Sequence, residues 1–162
     1  MILKRMPDGV DYFSAVVIFC FNKRGELVLL KKRKDHPIYP GLLGFPAGKV
    51  REGENFKKAS KREVLEETGN ETSEYNLSFF SLDPTIHFKP NGEPFYFFCH
   101  AYYLNHGCCL SEITINPKEH EEFITVRPEK ILKMDKNIFI PDAWDNFRDF
   151  YLKNHNKLIR AV

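Results

Sequence analysis

The stretch "GKVREGENFKKASKREVLEETGN", residues 48–70, decides how this chain is read. Its second half has the marks of a helix: Asn55 as an N-cap, a run to Thr68, and Gly69 as the stop. Residues three and four apart on a helix are neighbours. Glu63 therefore adjoins Glu66 and Glu67, within an arc of about 100° at about 3.6 residues per turn. Lys57, Lys58 and Lys61 lie largely on the other side, and only Arg62 stands one helical turn from a member of the cluster, Glu66. Glu63 and Glu67 have each other in place of a partner. The acidic arc shares its side with Phe56 and Ala59, which should face inward, and carboxylates turned inward require a counter-ion. A hard divalent cation such as Mg²⁺ takes oxygen ligands of this kind. Taken alone, three such glutamates read as a solvated acidic face. The residues that lead into the helix change that reading.

From Gly48 the stretch follows the pattern G-x5-E-x7-R-E-U-x-E-E-x-G-U, where U is a bulky aliphatic residue. Gly48, Glu54, Arg62, Glu63, Val64, Glu66, Glu67 and Gly69 all match, and Asn70 stands where the pattern has an aliphatic side chain. This resembles the Nudix box, the loop-helix-loop signature of the Nudix hydrolases, in a MutT-like setting. "GLLGFPAGKV" upstream is similar to the family's entry strand, with Ala47 in place of a usual glycine. "KEHEEFITVRPEKIL" resembles the late strand and short helix of such domains, so the likeness runs over roughly residues 10 to 135.

The resemblance implies a fold and a set of roles. The fold is α+β, a mixed β-sheet between α-helices, with residues 1–162 forming one Nudix domain. Glu63, Glu66 and Glu67 would bind Mg²⁺, with Mn²⁺ as a substitute, helped by the backbone carbonyl of Ala47. Arg62 and Glu54 would brace the loop against the helix, as outer partners of metal ligands do. Gly48 would permit a tight turn and close backbone approach, and Gly69 would close the helix. The family's chemistry is hydrolysis of a nucleoside diphosphate linked to another group, X. Many members add a carboxylate from a loop outside the box. Glu119 and Glu122 in "NPKEHEEF" have the family's E-x-x-E spacing there, against a reading as solvated loop charges. His120 and the other histidines have no metal-ligand spacing partner and receive no role.

The composition is that of a soluble globular protein. Of 162 residues, 43% are hydrophobic and 28% charged, enough for one substantial core. A net charge of +2 gives no global field for nucleic acid or a membrane surface. No apolar run approaches the length of a membrane span, and "MILKRMPDG" is too short and polar for a signal peptide. Cys20, Cys99, Cys108 and Cys109 have neither finger-like nor C-x-x-C spacing. Cys20 and Cys99 read as buried free thiols, Cys108 and Cys109 as exposed bystanders, in a reducing, cytoplasmic setting.

Along the chain, "YFSAVVIFCF" (12–21) reads as a buried strand that turns at "NKRG" into "ELVLLKKR" (26–33), a hairpin. "YNLSFFSL" is a strand, and two more flank "PNGE", a strong hairpin signal. "EEFITV" (121–126) is the last strand and "RPEKILKM" a short helix. The tail sets Ala143, Trp144, Phe147, Phe150 and Tyr151 on one helical stripe. Arg33, Lys34 and Lys49 could approach phosphates at the box entrance. Tyr39, Phe45 and Phe88 could stack on a base, although aromatics in strands are more often core.

The favoured expectation is a Mg²⁺-dependent pyrophosphohydrolase of a small nucleotide, first of all a nucleoside triphosphate. ADP-ribose or another nucleotide sugar is the alternative, with Pro84 near the place where such enzymes carry a proline. A nucleotide-sensing module would have lost box glutamates, and all are intact here. An enzyme of RNA 5′ ends, acting on caps or diphosphates, would favour a more basic surface.

Overall fold

The helix expected from the box spans Phe56–Thr68 (α1), in a computed structural model that describes residues 3–5 and 11–159. Both of its ends form as the sequence indicates. The Asn55 side chain accepts a hydrogen bond from the Lys58 N–H at 2.8 Å. Gly69 takes the left-handed conformation, φ 73°, and donates its N–H to Leu65 O.

The strands form two sheets. In the first, β1 (Leu3–Arg5), β2 (Asp11–Phe19), β7 (Pro94–Leu104) and β6 (Leu77–Phe88) lie side by side, and β5 (Ala47–Lys49) also pairs with β2. The β2–β7 pair is parallel and the others antiparallel, so this sheet is mixed. The second sheet orders β4 (Leu43–Gly44), β3 (Leu27–Lys32) and β8 (His120–Val126), all antiparallel. The short helix α2 (Pro128–Ile131) follows β8, and α3 (Ala143–Ile159) ends the described chain. The α+β architecture with mixed sheet and flanking helices is thus the one the sequence indicated.

The turn after β2 forms as expected, but the two strands do not stay paired. Asn22 Oδ1 accepts the N–H groups of Arg24 and Glu26, and a bridge joins Phe21 to Leu27. Beyond it β2 and β3 enter different sheets. Leu27, Val28, Leu29 and Leu30 are all buried, so β3 has core on both faces and takes β4 and β8 as neighbours.

Alternation along these strands builds two cores. Val16, Ile18, Cys20, Val28 and Leu30 pack against Ala59 and Val64 of α1. Val17, Phe19, Leu27 and Leu29 pack against Ile131 of α2 and Phe147 and Phe150 of α3. The aromatic stripe of the tail therefore does face inward.

A second difference concerns β6. The sequence reads as two strands there, and the structure has one, Leu77–Phe88, running through Pro84 with a bulge between Phe79 and Ser81. β6 is the edge of its sheet, where a missing N–H costs no ladder bond. The "PNGE" hairpin closes as expected, with Gly92 at φ 85° and Lys89 N–H donating to Glu93 O. All four cysteines are free; Cys20 is buried and Cys109 exposed.

Candidate active site

Arg62 is the hub of the box. Its Nε and Nη2 donate to both oxygens of Glu54, at 2.6 and 2.9 Å, a bidentate pair. Nη2 also reaches Lys49 O at 2.8 Å, which ties the loop to the helix. Nη1 bonds Glu63 Oε1 and reaches Glu66 Oε2 at 3.2 Å. Arg62 holds the Glu54 carboxyl below the ordinary carboxylate range, and Glu54 in turn raises Arg62. The sequence reading left Glu63 without a partner. Arg62 supplies one, because its side chain folds back over the carboxylate of the next residue.

Glu63 is 7% exposed, and its carboxylate occupies the space where a side chain on Gly48 would begin. Glycine at 48 is required here by close approach. Burial pushes the Glu63 carboxyl up to about 6, against the pull of Arg62. Glu66 is the exposed member of the arc and pairs with Arg51 at 3.1 Å.

Glu67 is the member without enough partners. It is 3% exposed, and its Oε2 accepts the Ala47 N–H at 2.9 Å. Its Oε1 is buried and has no hydrogen-bond partner. The nearest cation is the Lys32 ammonium at 3.9 Å, and His120 Nε2 lies 3.8 Å away. Burial pushes the Glu67 carboxyl up to about 8, opposed by Lys32 and the Ala47 N–H. A buried carboxylate oxygen with nothing bonded to it is the chemistry of a cation ligand.

Glu119 and His120 complete the cluster. Glu67, Glu119 and His120 each bring one ligand atom, and these lie within 4.8 Å of one another. Glu119 is half exposed, with Oε2 3.5 Å from Lys32 Nζ. Burial, then Lys32, pushes His120 down to about 4, so its imidazole is neutral. Lys32 and His120 were both missed by sequence reasoning. Lys32 continues the Val28–Leu30 face that packs on α1, a signal present in the alternation of β3. His120 has only its place at the start of a strand beside the box helix, a tertiary fact.

Other expected site residues lie elsewhere. Glu122 pairs with Lys31 at 3.2 Å, away from the Lys32 side, so the structure does not bring it to the box. Phe45 is a correction: it is 4% exposed and packs edge-on against Phe19 at 4.9 Å, leaving no free face for a base. Arg33 forks onto Asp35 and bonds Pro117 O at 3.2 Å, and its N–H donates to Glu119 O. It braces the loop that carries Glu119. Lys49 is exposed, with Nζ 4.7 Å above the Phe13 ring. Tyr39 is held by His87, at 2.5 Å, and Phe88 is exposed at the end of β6.

Asn70, the departure from the box pattern, is buried and polar by design of its surroundings. Its Nδ2 donates to Glu112 O at 2.9 Å and its Oδ1 accepts the Ser111 N–H at 2.9 Å. The helix exit is fastened to the 111–114 segment by hydrogen bonds in place of apolar packing.

Comparison with known proteins gives the same answer. Residues 11–147 match the NUDIX domain. Nucleoside triphosphatase NudI of Escherichia fergusonii is 27% identical over 116 residues, 70% of this chain and 82% of that protein. The MutT protein from Methanosarcina mazei Go1 superposes with a TM-score of 0.70 at 25% identity, over 88% of this chain and 95% of that one. The NUDIX domain of Shewanella oneidensis NrtR, solved with ADP ribose, has a TM-score of 0.69 at 14% identity over 91% of this chain and 92% of that one, a likeness of fold. Among the described residues no helix is long and apolar enough to cross a membrane. An intact box, folded as a box, on a chain matched over most of its length leaves one conclusion: this protein belongs to the NUDIX family and is a Nudix hydrolase.

Proposed function

We propose that this Nudix hydrolase is a Mg²⁺-dependent pyrophosphohydrolase that converts a nucleoside triphosphate to the monophosphate and pyrophosphate. The observation that carries the metal dependence is the buried Glu67 Oε1 with no hydrogen-bond partner, set beside Glu119 and His120. The substrate class is supported by the nucleoside triphosphatase relatives, which align over 70% of this chain. Four free thiols suit a reducing, cytoplasmic location.

The chain's own residues divide the work. Glu67 would hold the cation directly, with Glu63 and Glu66 on the same helical face. Bound Mg²⁺ supplies neutralisation of the diphosphate and lowers the pKa of a water for attack at phosphorus. Arg62 keeps Glu54, Glu63 and the Lys49 carbonyl in fixed positions, so the acidic face does not reorganise when substrate arrives. Glu119, half exposed with Oε2 3.5 Å from Lys32 Nζ, would either take the proton of the attacking water or hold an outer metal.

Purified protein with Mg²⁺ and a panel of nucleotides, including ADP-ribose, tests the reaction, with products resolved by ³¹P NMR. A nucleoside triphosphate is expected to give monophosphate and pyrophosphate. Orthophosphate released directly, or turnover confined to ADP-ribose, would overturn the substrate assignment. Glu119→Gln keeps shape and removes basicity. It is expected to lose at least about 10²-fold in kcat, the lower end of general-base catalysis, with KM little changed. Glu122→Gln, on the Lys31 side, is expected to stay within about ±0.5 kcal/mol in stability and near wild type in rate. Wild-type kcat in both variants would show the 119–122 segment to be a bystander.

A further inference from the structure

His120 stands at the start of β8, 2% exposed, with its ring beside Glu67 of α1. Its Nδ1 is buried and has no hydrogen-bond partner, and Nε2 faces Glu67 Oε1 at 3.8 Å, beyond hydrogen-bond reach. Glu67 Oε1 is also without a partner. These are the buried orphan side-chain atoms found among the described residues, and both belong to the same cluster. A histidine retained for the core alone bonds a carbonyl or hydroxyl with its ring nitrogens, since buried polar groups are paired. His120 bonds neither. Lys32 offsets charge from 3.9 Å but does not take the Glu67 oxygen as a hydrogen-bond acceptor.

We propose that His120 is itself a metal ligand, placing one imidazole nitrogen beside the carboxylates of Glu67 and Glu119. This rests on the metal-dependent reading above and goes beyond it, because it sets which cation the site prefers. An all-oxygen site suits Mg²⁺, whereas an imidazole donor favours Mn²⁺, Co²⁺ or Zn²⁺ in rising order of nitrogen affinity. The atoms are close enough to share one ion, within 4.8 Å of one another, and an unprotonated imidazole nitrogen offers it a lone pair. Mg²⁺ remains usable through the glutamates. The selectivity between cations is what His120 changes.

Calorimetric titration of the chelator-stripped protein with Co²⁺ and with Mg²⁺ tests this without reference to turnover. In His120→Gln, Co²⁺ affinity is expected to fall by about tenfold or more, and Mg²⁺ affinity by less than about twofold. A folded variant with unchanged Co²⁺ affinity overturns the proposal. Because His120 is buried, a second measurement uses the wild-type chain alone. Pulsed EPR of the Mn²⁺-loaded protein is expected to show nitrogen coupling that changes when histidine is ¹⁵N-labelled. Absence of that coupling overturns the proposal whether or not the variant folds. Glu67→Gln separates the two claims. Loss of binding there with none in His120→Gln removes the imidazole ligand and leaves the glutamate site standing, whereas binding unaffected in both removes the metal site altogether.

Discussion

Glu67→Gln is expected to lower kcat by at least about a hundredfold while raising the melting temperature of the metal-free protein. The two effects have one cause. Removing an outer partner of a metal ligand already costs about 10–100-fold in affinity or activity, and in the proposed function Glu67 is a ligand itself. Without metal, the same carboxylate is 3% exposed, with one oxygen bonded to the Ala47 N–H and the other to nothing. Glutamine keeps the Ala47 bond and removes a carboxyl that burial pushes up to about 8; at pH above the ordinary carboxylate range the folded chain must either protonate it or bury its charge, at about 1–3 kcal/mol or more. Steady-state kinetics in saturating Mg²⁺, with thermal melts in EDTA, reads both quantities. A variant as active as wild type, or one that melts lower without metal, would refute the assignment of Glu67.

Gly48→Ala should be nearly as damaging, although it adds only a methyl group. A Cβ there would overlap the Glu63 carboxylate, which is 7% exposed and fixed by Arg62. Glu63 must move, and with it the Arg62 contacts that order the acidic face. A displacement on the order of 1 Å at a reacting centre costs about 10²-fold in rate. Overpacking of a tight site costs about 1–3 kcal/mol. Urea unfolding and kcat together check both figures. Wild-type values for both would mean that the loop yields freely, and the close approach of Gly48 would have no role.

Local signals in the sequence carried most of the fold. Asn55 and Gly69 cap α1 as read, because capping depends on the residue and its neighbours within one turn. The "PNGE" turn and the Phe147–Phe150 stripe were legible for the same reason. What was not legible is pairing at long range. "NKRG" specifies a turn, yet the entry of β2 and β3 into separate sheets depends on β4 and β8, which the turn does not encode. The continuity of β6 through Pro84 likewise depends on its being an edge strand, which only the assembled sheet defines. The site divides likewise. The box named Glu54, Arg62, Glu63, Glu66 and Glu67 through fixed spacing. Lys32 and His120 reach Glu67 only through the β3–β8 register, in which Lys32 lies opposite His120. Phe45 misled because an aromatic beside a box entrance looks the same in sequence whether its ring faces a ligand or Phe19.

The inward carboxylates of α1 are expected to form a divalent-cation site rather than a solvated acidic face. The most direct measurement is the melting temperature of chelator-stripped protein at pH 8, titrated with Mg²⁺. Ligand that binds only the folded state stabilises it by about 2.7 kcal/mol at a hundredfold excess over Kd. The melting temperature is therefore expected to rise with Mg²⁺ and saturate, and to rise much less in Glu67→Gln. A wild-type melting temperature indifferent to Mg²⁺, or one raised equally by the same ionic strength of NaCl, would contradict it.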